Sequence, residues 1–173
     1  MAMIDALLQE LEQEAQTTRR VLARVPDAHL GWKPHDKSMT LGQLALHVAT
    51  VPGMVAELAV QPVISAPQFV QPAATSAAQL LPALDESVSR AKTLLGGMDD
   101  AALASTWRVM IGDQEVMALP RGAVLRSIML NHWYHHRGQL SVYLRQLNVP
   151  VPSIYGPSAD ENPFAVASVA AAR

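Results

Sequence analysis

Residues 131–150 read NHWYHHRGQLSVYLRQLNVP, and this stretch decides the fold because it carries three of the six histidines within an amphipathic repeat. We predict one long helix from about Arg121 to Leu147, ended by the Val-Pro-Val-Pro sequence that follows it. Its apolar residues recur at helical spacing and define one stripe: Leu125, Ile128, Met129, Leu140, Tyr143 and Leu147. The stripe predicts that this helix packs against other helices along most of its length.

A helical wheel distinguishes the three histidines of this helix. At 100° per residue, His132 and His136 lie about 40° apart and about 6 Å along the axis. This i, i+4 spacing lets two imidazoles converge on one metal ion. His136 falls near the centre of the apolar stripe and His132 about 30° from it, whereas His135 lies about 90° away. We therefore predict His132 and His136 as metal ligands and His135 as a flanking residue.

His47 is the third candidate ligand, on a second helix that begins near Thr40. Thr40 and Gln43 match a capping box at the start of that helix. The apolar residues of the helix lie within about 60° of His47 on the wheel: Leu44, Val51, Met54 and Leu58. A single core-facing histidine is usually a hydrogen-bonded packing residue, but three unpaired imidazoles in one apolar core would be costly. Their convergence favours a metal site.

Three neutral imidazoles suit Zn²⁺, Ni²⁺ or Fe²⁺ as a single divalent ion. Three protein ligands leave a coordination position open, which is typical of catalytic rather than structural zinc sites. The chain has no cysteine, so a thiolate nucleophile and a Cys-ligated metal are both excluded.

Two further helices complete the predicted architecture. One runs from Ile4 to Val25, and another from Thr75 to Gly96-Gly97, with Pro82 as an alternative start. A short helix follows Asp99 as its N-cap. The predicted fold class is therefore all-α, a four-helix bundle, with residues 1–173 forming a single domain.

Three smaller predictions concern the connections between helices and a proline within the second helix. Residues 107–110 and 115–118 flank a turn at Gly112-Asp113 and predict a small β-hairpin before the last long helix. The Pro-rich stretch 61–72 predicts an extended connection. Pro52, inside the second helix, predicts a bend just after His47.

Composition excludes several classes of partner. The net charge is −2 and no block of like charge occurs, so no nucleic-acid or polybasic membrane surface is expected. The N-terminal residues show neither a cationic nor an apolar signal region, and no apolar run reaches the length of a membrane span. The absence of cysteine fits a reducing cytosol, so we expect a cytoplasmic protein, and the open metal position predicts a small molecule as its substrate.

Three segments together resemble the DinB-like family of damage-inducible and related bacterial proteins, which is distinct from the similarly named DNA polymerase. They are LGQLALHVA at 41–49, NHWYHHRGQLSVYLRQLNVPVP at 131–152 and IYGPSADE at 154–161. The resemblance implies a four-helix bundle, frequent homodimers and a metal held by three histidines, here His47, His132 and His136. Relatives include metal-dependent thiol transferases that use bacillithiol or mycothiol, and a mycothiol-dependent maleylpyruvate isomerase.

Three functions remain open from the sequence. The first is a metal-dependent transferase that uses an external low-molecular-weight thiol, because an open metal site lowers the pKa of a bound thiol. The second is a non-catalytic metal-binding stress-response dimer. The third is a metal-dependent hydrolase, for which Asp160 or Glu161 would have to approach the metal as general base.

Three residues near the histidines have narrower predicted roles. Gln139 is predicted to orient a ligand histidine from outside the coordination shell. Arg137 is predicted to form a flanking salt bridge. Tyr143 is predicted to pack in the core, with a hydrogen bond into the site as the alternative.

Overall fold

The fold is a four-helix bundle that carries a small sheet at one side. The computed structural model describes residues 2–68 and 70–165 of the chain. The first three long helices are α1 (Met3–Leu22), α2 (Leu41–Ala59) and α3 (Leu80–Leu95), followed by the short α4 (Asp100–Ala104). The fourth long helix is continuous but composite, formed by α5 (Arg121–Val124), a π-helical segment (Leu125–Asn131) and α6 (His132–Gln146). The predicted all-α bundle is confirmed.

Helix α2 is the central helix of the core. It contacts α1, α3 and α6, and its buried face is rich in Ala, Val and Leu. It is long and apolar enough to meet a membrane-span criterion, but 67% of its apolar window is buried inside the fold, as in the core helix of a soluble protein. At Gly53 an added Cβ would lie 2.9 Å from the carbonyl oxygen of Ser87, so the absent side chain permits the close approach of α2 and α3.

Most helix ends lie where the sequence places them. The capping box is present: Thr40 Oγ1 accepts from the Gln43 amide at 3.2 Å, and Gln43 Oε1 accepts from the Thr40 amide at 2.9 Å. Asp99 caps α4 by accepting from the Ala102 amide at 2.7 Å. Pro52 does not break α2, which continues to Ala59.

Two predicted boundaries are wrong. Helix α1 ends at Leu22 rather than Val25, because the last residues before Pro26 form a turn. The third helix begins at Leu80 after a 3₁₀ turn, Ala77–Gln79, so the alternative start marked by Pro82 was the better prediction. The small, apolar sequence AVASVAAAR at 165–173 predicts a tail that frays or contacts a partner, and residues 166–173 lie outside the described residues.

The predicted hairpin is present and is part of a three-stranded sheet. Strands β2 (Thr106–Ile111) and β3 (Gln114–Pro120) are antiparallel, and Gly112 makes the turn at φ 58°. A third strand, β1 (Val63–Ser65), comes from the predicted extended connection and pairs in parallel with β2. Trp107 on β2 anchors the sheet to the bundle by donating from Nε1 to the Leu58 carbonyl at 2.9 Å.

The π-helical segment corrects the predicted core face of the last helix. A π-bulge adds one residue to a helix and therefore rotates everything after it by about 100°. The buried residues of α6 are accordingly Trp133, Arg137, Leu140 and Leu144, of which Leu140 alone belongs to the predicted stripe. His132 and His136 lie at the edge of this face, half-buried, instead of at its centre.

Candidate metal centre

The three predicted histidines meet between α2 and the start of α6. His47 lies on the second turn of α2, His132 is the first residue of α6, and His136 follows one turn later. His132 Nε2 lies 2.8 Å from His136 Nε2 and 3.4 Å from His47 Nε2. One ligand atom from each ring lies within 4.8 Å of the others, so the group could hold a metal ion.

The π-helical segment orients His132. The backbone N–H of His132 bonds to the carbonyls of Ser127 and Met129 instead of the Ile128 carbonyl that an α-helix would use. The Ile128 oxygen accepts from His132 Nδ1 at 3.2 Å. Because a carbonyl only accepts, the Nδ1 atom carries the proton, and Nε2 presents its lone pair to the other histidines.

Gln139 orients His136 in the same way. Its Oε1 atom accepts from His136 Nδ1 at 2.7 Å. This places the proton on Nδ1 and leaves the Nε2 lone pair directed at the shared point. The role that the sequence predicted for Gln139 matches this contact.

The electrostatics of the cluster favour neutral rings. Burial, followed by the proximity of His136 and His132, lowers the pKa of His47 to about 4. Burial is also the main reason why the pKa values of His132 and His136 are lowered. Near neutral pH all three side chains are therefore available as ligands.

This donor set fits a divalent metal ion. Two neutral rings protonated at Nδ1 have no proton for an Nε2–Nε2 hydrogen bond, so their lone pairs repel at 2.8 Å. A cation between them turns that repulsion into coordination. Tetrahedral bonds of 2.0–2.1 Å would separate ligand nitrogens by about 3.3 Å, close to the separations that the rings already have.

A hydrogen bond from Trp133 joins the two helices that carry the histidines. Pro52 has no N–H, so the carbonyl of Val48, four residues earlier, lacks its partner within α2. The fully buried Trp133 donates from Nε1 to that carbonyl at 2.7 Å. Since Val48 follows His47 and Trp133 follows His132, this hydrogen bond sets the distance between the helices at the site.

A cavity of about 640 Å³ opens beside the histidines. Its walls are α2, the π-helical segment and one face of the sheet, and His47, His132 and His136 lie on its surface. Among residues 2–68 and 70–165, no Asp, Glu, Lys or Arg lines it. A volume of this size suits a small molecule.

The DinB family model matches residues 1–163 of the chain. The chain belongs to the DinB family. YrdA, an uncharacterized protein of Bacillus subtilis (strain 168), is 30% identical over 162 residues, with 91% of each chain covered. A DinB-like protein from Bacillus cereus ATCC 10987 superposes with a TM-score of 0.68 at 23% identity, covering 87% of this chain and 97% of that one. The DinB-like protein YjoA from Bacillus subtilis gives 0.62 at 18% identity, covering 84% and 95%. At these identities the two structures show the fold alone.

Other residues of interest are not part of the histidine cluster of this DinB-family site. His135 is exposed and flanks His136 as predicted, with the ring centroids 5.0 Å apart, and His29 and His35 are also exposed. Tyr143 donates to the Met39 carbonyl at 3.3 Å and packs edge-on against Trp32, so its hydroxyl does not point into the cavity.

The two loop carboxylates are bound elsewhere. Asp160 pairs with Arg145 and accepts from the Val151 amide, while Glu161 pairs with Arg20. They fix the segment after α6 against the bundle and do not approach the histidines as the hydrolase hypothesis required.

Arg137 is the main residue that the sequence misjudged. Its predicted salt bridge exists, 2.6 Å to Glu14, but it is buried rather than flanking, with 1% of the side chain exposed. Arg137 also donates to Thr18 Oγ1 at 3.1 Å and to the hydroxyl of Tyr155. It therefore joins α1, α6 and the C-terminal segment. The π-bulge rotation that moved the histidines outward moved this residue inward.

Proposed function

We propose that this DinB-family protein is a metal-dependent enzyme that acts on small molecules. It joins a low-molecular-weight thiol, through its sulfur atom, to an electrophilic substrate. One observation carries the proposal. The Nδ1 atoms of His132 and His136 are both engaged, by the Ile128 carbonyl and by Gln139, so that two Nε2 lone pairs face one point beside His47. His47, His132 and His136 would hold one Zn²⁺, Ni²⁺ or Fe²⁺ ion.

The metal ion and the protein would contribute different parts of the chemistry. A divalent ion with an open position lowers the pKa of a thiol that binds it. The chain has no cysteine, so the thiol must come from outside. Gln139 and the Ile128 carbonyl keep two imidazoles oriented, and the apolar cavity beside them excludes water and receives the electrophile.

Hydrolysis is the weakest of the alternatives. Metal-dependent hydrolases generally need a general base close to the metal. In the described part of the chain no carboxylate lines the cavity. Asp160 and Glu161, in the segment after α6, pair with Arg145 and Arg20 instead. Non-catalytic metal binding remains the competing proposal, and the activity experiment below separates it from thiol transfer.

The metal site is tested by titrating chelator-treated protein with Zn²⁺, Ni²⁺ and, without oxygen, Fe²⁺ in a calorimeter. We expect one ion per chain for the wild type and loss of high-affinity binding in His136→Ala. His135→Ala is the matched control, because this exposed neighbour lies on the same turn and its Nδ1 and Nε2 atoms are not in the cluster. Equal loss in both variants would refute the assigned ligands.

Catalysis is tested with monochlorobimane as electrophile and a panel of thiols that includes bacillithiol, mycothiol and glutathione. In the reaction the thiol sulfur bonds to the bimane carbon, chloride leaves and the thiol proton passes to solvent. We expect fluorescent product to form faster with metal-loaded wild type than with chelated protein or His136→Ala. Full metal binding without metal-dependent turnover of any thiol would favour the non-catalytic protein.

Assembly and location are further parts of the proposal. A cytoplasmic homodimer, with neither nucleic acid nor membrane as partner, agrees with the composition and with the family resemblance. Light scattering of the protein as it elutes from a size-exclusion column is expected to give twice the mass of one chain. A mass equal to one chain would contradict the homodimer.

A further inference from the structure

The cavity beside the histidines has apolar walls on three sides. Helix α2, the sheet and the π-helical segment all contribute aliphatic or thioether side chains to it. The ones used below are Met54, Leu58, Ile64, Val109, Met117 and Ile128. Because these walls come from three separate elements, the shape of the cavity depends on the sheet being packed on the bundle.

Within the described ranges, the polar groups of the lining are few, and none of them is an Asp, Glu, Lys or Arg side chain. Besides the three histidines, Ser127 and Gln71 have polar side chains at the cavity. The Ser127 hydroxyl donates to the Ala123 carbonyl at 2.6 Å, so its proton is directed into its own helix. Two arginines directly precede lining residues in the sequence, and both form ion pairs with glutamates. Arg126 pairs with Glu10, and Arg108 pairs with Glu115.

These walls discriminate by charge. A carboxylate, sulfonate or phosphate placed between these walls, away from the metal position, would lose its hydration without gaining a cationic partner from the apolar side chains. An uncharged aromatic or aliphatic group would instead bury apolar surface against them. The volume of about 640 Å³ is that of a site for a drug-sized molecule.

We propose that the cavity is the subsite for the neutral, apolar part of the substrate, and that an anionic group is excluded from it. This inference rests on the proposed function, because it assigns the substrate class of that same site. Any charged portion of a thiol cosubstrate then stays outside the apolar walls, and the electrophile is an uncharged hydrophobic compound.

Strand β3 supplies a variant and its matched control. Met117 lies at the mouth of the cavity, opposite Val109, and 42% of it is exposed. Its neighbour Val116 is 45% exposed and does not line the cavity; it is the extra residue where the register between β2 and β3 shifts. Met117→Glu and Val116→Glu therefore place the same charge on the same strand at equal exposure, one inside the subsite and one outside it.

The probe is N-phenyl-1-naphthylamine, a neutral dye that fluoresces in apolar surroundings, titrated into chelated and zinc-loaded protein. We expect saturable binding to the wild type, at least tenfold weaker binding to Met117→Glu and less than a twofold change in Val116→Glu. In the chelated protein, the anionic analogue 8-anilino-1-naphthalenesulfonate should bind at least tenfold more weakly than the neutral dye. Circular dichroism melts establish that both variants are folded.

Several results would overturn the assignment. They are the absence of dye binding to the wild type, equal effects of the two glutamate variants, or an anionic dye that binds to the chelated protein as tightly as the neutral one. Comparison of chelated with zinc-loaded wild type separates this proposal from the metal site. The chelated protein should keep dye affinity within twofold, whereas loss of the dye with the metal would show that the walls do not form the subsite.

Discussion

Replacing Trp133 by Phe removes the indole N–H that bonds to the Val48 carbonyl at 2.7 Å. Trp133 is fully buried and Pro52 denies the same carbonyl its partner within the helix, so the substitution leaves a buried acceptor unsatisfied. The expected loss for the hydrogen bond is about 1–3 kcal/mol of unfolding free energy. The smaller ring adds a further packing loss that does not depend on the carbonyl.

A double-mutant cycle separates the two contributions. Pro52→Ala restores an amide N–H four residues after Val48, where it can bond to the orphaned carbonyl. We therefore expect Trp133→Phe to be less destabilising by about 1 kcal/mol or more when Pro52→Ala is also present. The packing losses of both side chains cancel in the cycle.

The assay is urea unfolding of the metal-free single and double variants, followed by circular dichroism. A Zn²⁺ titration of each variant adds a second readout. Trp133→Phe should weaken metal binding because it removes the hydrogen bond between α2 and α6, and the double variant should regain part of the lost affinity. Strict additivity of the two substitutions, within about 0.3 kcal/mol, would refute the idea that Trp133 compensates for Pro52.

Three further predictions concern the histidines and the buried ion pair. Gln139→Ala should weaken metal binding about 10- to 100-fold in a calorimetric titration, whereas Gln139→Glu, which keeps an acceptor oxygen, should restore most of it. Because the pKa of His47 is about 4 in the fold against 6.5 in the unfolded chain, the unfolded state takes up the proton first as the pH falls. Stability of the metal-free protein should thus drop between pH 6.5 and 4, by about 3 kcal/mol more than in His47→Gln, and identical pH profiles of urea midpoints would contradict this. Arg137→Met should destabilise the protein by about 3 kcal/mol by leaving the partly buried Glu14 carboxylate without its cationic partner, while Arg126→Met, at an exposed pair, should change stability by less than about 1 kcal/mol; similar losses in chemical denaturation would disprove the distinction.

Local signals in the sequence were sufficient for the helices and for the membership of the histidine cluster. The Thr40–Gln43 capping box, the Asp99 cap and the Gly112 turn are interactions between near neighbours, which a sequence pattern records directly. The i, i+4 spacing of His132 and His136 also survives, because both residues lie in the regular helix after the π-helical segment.

The errors come from features that depend on the whole fold. No residue pattern marks the π-helical segment, and by rotating α6 it brings Arg137 into the core and moves His136 to the edge. Strand β1 forms because the sheet offers an edge to Ile64, and three residues with one buried side chain give no periodic signal. Pro52 does indicate that the Val48 carbonyl is free, but only the packing of two helices identifies Trp133 as its donor.

X-ray absorption spectroscopy of the zinc-loaded protein tests most directly whether the three rings share one ion. Wild-type protein is predicted to show three imidazole nitrogens at 2.0–2.1 Å, together with one further oxygen ligand from solvent. His136→Ala should lose one imidazole, while the exposed His135→Ala should leave the spectrum unchanged. A wild-type spectrum with fewer than three imidazoles, or one that His136→Ala leaves unaltered, would contradict the account.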